Sequence, residues 1–62
     1  MNLYKFECSY VSDSLAIDEF ESTVPQLERL YQGKIRIVEI KHPIFGIYPV
    51  IIYTVEKQRN QK

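Results

Sequence analysis

Three features of this 62-residue sequence predict a small α+β domain with elements in the order β-α-β-β. Apolar and polar residues alternate strictly near the start, apolar residues recur every three or four positions in the middle, and two later apolar runs are joined by a short, turn-rich link. The expected architecture is a single domain over residues 1–62. It has a three-stranded sheet, with strand order 1-3-2 preferred over 1-2-3, and one proline-kinked helix packed on one face.

From Asn2 to Val11 the even positions read Tyr4, Phe6, Cys8 and Tyr10, and the odd ones Lys5, Glu7 and Ser9. That is the period of a strand with one buried and one wet face. Ser12, Asp13 and Ser14 follow, a turn that offers several helix N-caps.

Between Leu15 and Gln32 the residues Ile17, Phe20, Val24, Leu27 and Tyr31 are spaced three and four apart. At helical pitch they fall within an arc of about 80°, a narrow buried stripe. Asp18, Glu19 and Glu21 lie off that stripe in the first turns, where acids complement the helix dipole and are expected to be solvated. Pro25 cannot donate to the carbonyl four residues back, so a kink or restart is expected there. Thr23 with Gln26 three residues on forms a capping-box pattern, which predicts a second helical segment from 24 to 32. Gly33 is the residue expected to end the helix in the left-handed conformation.

The run Lys34 to Lys41 reads as a strand whose apolar parity changes from Ile35 and Ile37 to Val38 and Ile40. A bulge or two-faced burial explains such a change. Residues His42 to Gly46 have turn chemistry, and Tyr48 to Lys57 contains the most apolar strand: Val50, Ile51, Ile52, Tyr53 and Val55. The polar tail from 58 to 62 is expected to fray. Because residues 50–55 are apolar on both parities, they suit the middle of the sheet. Pro49 fits there only at the strand's start or at a bulge. One helix covers one face, so the other parity of 50–55 is expected to be exposed in a monomer, and the first strand to be an open edge. Both features predict a homo-oligomer, most simply a two-fold dimer.

Composition narrows the chemistry. Cys8 is the only cysteine and His42 the only histidine, so neither an intramolecular disulfide nor a Cys/His metal cluster can form. Two glycines cannot build a phosphate-cradling loop or a dinucleotide fingerprint. Cys8 lies on the apolar parity as a small buried hydrophobe, and His42 precedes a proline in a turn. The expectation is a non-enzymatic chain with no cofactor and no metal. There is no pattern of a secretory signal and no apolar run of bilayer length, and a lone thiol suits a reducing compartment, so a cytoplasmic location is expected. Eight isoleucines, five tyrosines and a single alanine suggest a low-GC genome, bacterial or phage.

The net charge of zero hides a division. Residues 1–28 carry six acids against Lys5, and the remainder seven bases against Glu39 and Glu56, which makes the parts −5 and +5. An acidic helix attracted to a basic sheet accounts for this; a nucleic-acid partner is the alternative. The leading expectation is a small protein-binding regulator, an inhibitor or adaptor, that uses Ile44, Phe45, Tyr48 and Tyr53 from the 43–48 loop and the sheet. Two large apolar residues at a hairpin tip either fold back over the sheet or anchor a partner. The alternative is single-stranded nucleic-acid binding, with tyrosines stacking bases and Lys34, Arg36 and Lys41 meeting phosphates.

Overall fold

The computed structural model describes residues 2–57. Its elements are β1 (Leu3–Glu7), α1 (Asp13–Tyr31), β2 (Gly33–Lys41) and β3 (Val50–Lys57). The sheet order is β1-β3-β2, and both junctions are antiparallel. The expected α+β class and 1-3-2 order are therefore found. The tail from 58 to 62, for which fraying was expected, lies outside the described residues.

The middle position of β3 follows from its sequence. Ile51, Ile52, Tyr53 and Thr54 are four consecutive buried residues, which fits a strand flanked on both edges, with the helix over one parity and side chains of the outer strands beside the other. Pro49 stands immediately before the strand. It accepts a hydrogen bond from the Cys8 N–H at 3.2 Å and, having no N–H, returns none, so the β1–β3 ladder stops there. β1 is accordingly shorter than the alternation over 2–11 suggests. Beyond Cys8 the Ser9 N–H turns to Glu19 Oε1 at 2.8 Å, and the chain leaves the sheet toward the helix.

The parity change in β2 is a bulge. Ile37 pairs with Tyr53 and Glu39 with Ile52, which leaves Val38 as the extra residue. Ile35, Ile37 and Ile40 thereby all face α1, opposite Val55, Tyr53 and Ile51. Without the bulge Ile40 would point to the open face.

The core lies between α1 and this face. Phe20 and Ala16 are fully buried and meet Cys8, Ile51 and Tyr53, with Tyr4, Phe6, Ile17, Val24, Leu27 and Tyr31 around them. Aromatic rings fill most of it. Phe20 is 5.1 Å from Phe6 in an edge-on arrangement and 5.2 Å from Tyr53, and Tyr4 lies between Tyr31 at 5.0 Å and Tyr53 at 5.5 Å. Such pairs contribute about 0.5–1.5 kcal/mol each beyond their area burial, a substantial supplement for a domain with so little interior.

Two local expectations about the helix are corrected. First, α1 runs unbroken through Pro25 from Asp13 to Tyr31, with no restart at 24. The Thr23 hydroxyl donates back to Glu19 O at 3.0 Å, and the Ser22 hydroxyl donates to the same oxygen at 2.8 Å. The capping-box pattern is thus used inside a helix and caps nothing. Second, the left-handed C-cap is Gln32 (φ 58°, ψ 49°), whose N–H reaches Glu28 O. Gly33 already belongs to β2. A Cβ there would stand 2.6 Å from Glu56 O and 2.8 Å from Val55 Cγ1, so glycine is required by close approach to β3 and not by its dihedral angles.

Candidate protein-binding loop

The connection between β2 and β3 carries the most exposed apolar side chains in the described chain. Phe45 is fully exposed, Ile44 is 89 % exposed, and Ile47 and Tyr48 remain largely open. Phe45 does not fold back over the sheet. The tip is a β-turn in which the Gly46 N–H donates to Pro43 O at 3.3 Å, so Ile44 and Phe45 occupy the two central positions and project outward. Gly46 packs against the Pro43 ring, and a Cβ there would stand 3.3 Å from Pro43 Cβ.

The base of this loop is held on both sides. At the β2 end, His42 Nε2 contacts Asp13 Oδ1 at 2.8 Å and ties the loop to the start of α1. At the β3 end, Pro49 is fully buried and linked to Cys8. The two prolines at 43 and 49 further restrict the backbone. The result is an apolar tip on a fixed base, an arrangement that reduces the entropy lost when a partner covers it. Beside it, on the face away from the helix, a shallow groove is lined by Lys5, Glu39, Lys41, Val50 and Ile52 and reaches Ile44.

The remaining predicted contact residues do not gather there. Tyr48 is on the loop, but Tyr53 is 3 % exposed beneath the helix and cannot touch a partner without unfolding. Burial, together with the hydroxyl of Tyr31, pushes the Tyr53 phenol up to about 12. The open face is also less apolar than expected. It presents the Val50 and Ile52 parity, yet Ile52 is only 8 % and Thr54 only 5 % exposed. Lys5 and Glu39 flank Ile52, and Leu3 and Arg36 flank Thr54. Long side chains on the outer strands shelter the central strip with their aliphatic stems and keep their charges in water. The Thr54 hydroxyl is satisfied by Asn2 O at 3.1 Å.

Lys34, Arg36 and Lys41 share that open face, where their cross-strand partners are Glu56, Thr54 and Val50. Arg36 lies 3.5 Å from Glu56. Tyr4 and Tyr53 lie on the other side of the sheet, against α1. The rings of Tyr4 and Tyr53 and the cations of Lys34, Arg36 and Lys41 are thus separated by the sheet itself.

Of the helix acids expected to be solvated, Glu19 proves to have a backbone partner, and so does Glu28 further along. Glu19 accepts the Ser9 N–H, and Glu28 accepts the Ile35 N–H at 3.1 Å. Cys8 is buried, and its thiol is pushed up by burial first and then by the nearby Glu19 charge, with a backbone hydrogen bond from Ile51 partly opposing them. Such a thiol is a poor nucleophile. Among the described residues no group of three His, Cys, Asp or Glu side chains converges to hold a metal ion, and no helix is long and apolar enough to cross a membrane.

What sequence reasoning missed was the pinning of the loop. His42 and Asp13 are 29 residues apart, and nothing local in either segment signals their contact. Comparison with protein-family models, with curated proteins and with solved structures gives no match, so the functional argument rests on this geometry alone.

Proposed function

We propose that the chain is a small non-catalytic protein-binding module, a regulator of inhibitor or adaptor type, whose recognition element is the 43–48 loop. The observation that carries this reading is the complete exposure of Phe45 beside Ile44 on a turn whose base is anchored at His42 and Pro49. Burying a side chain of that size against a partner contributes roughly 1.5–3 kcal/mol, so the two anchors together account for a large part of a micromolar affinity. The fitting partner is a folded protein with an apolar cleft wide enough for an aromatic ring. A reduced, buried Cys8 suits a cytoplasmic setting for that encounter.

The reading is favoured over single-strand nucleic-acid binding because Tyr4 and Tyr53 are packed under α1 while Lys34, Arg36 and Lys41 face the other way. The test is quantitative affinity capture from a low-GC bacterial lysate with the wild-type chain and with a Phe45→Ala, Ile44→Ser variant. Partner recovery falling at least about tenfold in the variant is expected. Equal recovery removes the loop from the interaction. Fluorescence anisotropy with oligonucleotides at two salt concentrations addresses the other reading, since phosphate contacts weaken as salt rises.

A further inference from the structure

The two edges of the sheet are finished differently. In an antiparallel ladder, successive residues alternately direct their N–H and C=O toward the partner strand and away from it. Cys8 donates to Pro49, so Tyr4, Phe6 and Cys8 direct their backbone groups toward β3, and Leu3, Lys5 and Glu7 direct theirs outward. On β2 the outward set includes Ile35, whose N–H is occupied by Glu28 Oε2, and the strand is bent by the bulge at Val38. An occupied amide and a bulge are both features that deter strand addition. On the β1 side, Ser9, just beyond the strand, is held by Glu19. Among the described residues nothing pairs with the outward backbone groups of Leu3, Lys5 and Glu7. The helix lies over β2 and β3 more than over β1, which leaves Tyr4 and Phe6 only half-buried beside that edge.

We propose that β1 is a self-recognition edge, at which two copies of the chain join antiparallel about a two-fold axis at Phe6 to form one continuous six-stranded sheet. Outward-facing residues must pair with outward-facing ones, which restricts the axis to a few positions. With the axis at Lys5, two ammonium groups stand directly opposed. With the axis at Tyr4, Lys5 faces Leu3 and gains nothing electrostatic. With the axis at Phe6, Lys5 of each copy faces Glu7 of the other, so two opposite-charge pairs form on the open face, and each Phe6 meets its twin on the helix face. Directly opposed unlike charges and aromatic pairs both favour a register, and like charges disfavour it. The occupant of the edge is therefore a second copy of this chain, selected by the charge order Lys5, Phe6, Glu7. Because the two β1 strands run in opposite directions, the 43–48 loops emerge from opposite ends of the assembly and form two separate anchors. The proposal does not depend on what those loops bind.

Sedimentation equilibrium of the full chain across the micromolar range, with far-UV circular dichroism to verify folding, tests it. The wild type is expected to approach twice the 7.4 kDa chain mass. Lys5→Glu alone and Glu7→Lys alone each place like charges across the axis twice, and dimerisation is expected to weaken roughly tenfold in each. The double variant Lys5→Glu, Glu7→Lys restores both pairs with the signs exchanged and is expected to recover wild-type association. That recovery distinguishes the Phe6 axis from one at Lys5, where the double variant would oppose two carboxylates. A wild type that stays monomeric, or a dimer indifferent to both reversals, overturns the proposal. Should one single variant fail to fold, the other single variant together with the charge-exchanged double variant still decides. Lys5 and Glu7 border the groove beside the loop, so partner capture is tested separately, through the Phe45→Ala, Ile44→Ser variant, which leaves β1 unchanged.

Discussion

Replacing Gly33 by alanine is expected to destabilise the domain by about 2 kcal/mol, and replacing the adjacent Gln32 by glycine to stabilise it by about 1 kcal/mol. At Gly33 an added Cβ meets Glu56 O at 2.6 Å, a backbone atom of the central strand. It can be relieved only by moving β2 away from β3, where Lys34 is paired with Glu56 and Gly33 with Lys57. At Gln32 the backbone is left-handed, a strained conformation for a residue with a side chain. Glycine relieves it, while the greater freedom of the unfolded chain returns part of the gain. For a domain of this size 1 kcal/mol moves the midpoint of thermal unfolding by roughly 4–8 °C, so the two variants should separate clearly. The assay is thermal and urea unfolding followed by circular dichroism, at one fixed protein concentration because self-association also stabilises. An unchanged midpoint for Gly33→Ala, or a lowered one for Gln32→Gly, refutes the reasoning. A lowered midpoint in both variants would mean that Gly33 supplies the left-handed cap after all.

Phe20→Ala removes the ring at the centre of the aromatic cluster and should cost about 3–5 kcal/mol, comparable to the whole stability of so small a domain. Loss of cooperative unfolding at room temperature is the expected result, and Phe20→Leu should retain it. Tyr53 is held protonated in the folded state up to about 12, whereas the unfolded chain releases that proton near the ordinary tyrosine value of about 10. The folded state then binds more protons than the unfolded one between those values, so stability is intact below 10 and declines as pH rises toward 12. Ultraviolet titration at alkaline pH should show a late phenolate step that Tyr53→Phe abolishes. Cys8, buried and with its thiol pushed up, should react slowly with a disulfide reagent under native conditions and rapidly in denaturant. Fast native labelling would mean that the loop between β1 and α1 opens freely.

The number and order of elements, the helix stripe of Ile17, Phe20, Val24, Leu27 and Tyr31, and the central position of residues 50–55 were all decided by local periodicity. A side-chain period of two or of three to four is a property of the chain itself and survives without knowledge of any partner segment. That Ile44 and Phe45 sit at a turn was legible from the flanking Pro43 and Gly46, but their outward projection was decided by the fold. Tertiary structure alone decided the rest. Which parity of β3 meets the helix, and hence that Tyr53 is buried while Ile52 lies on the open face, depends on how β1 and β2 register against it. Whether Gln32 or Gly33 takes the left-handed turn depends on Glu56 and Val55, which the fold brings within 3 Å of a position more than twenty residues away in sequence. The roles of Glu19, Glu28 and His42 were likewise set by distant backbone and carboxylate groups, at separations of 10, 7 and 29 residues. Periodicity specifies which face of an element is apolar, but close contacts are fixed by atoms that only folding brings together.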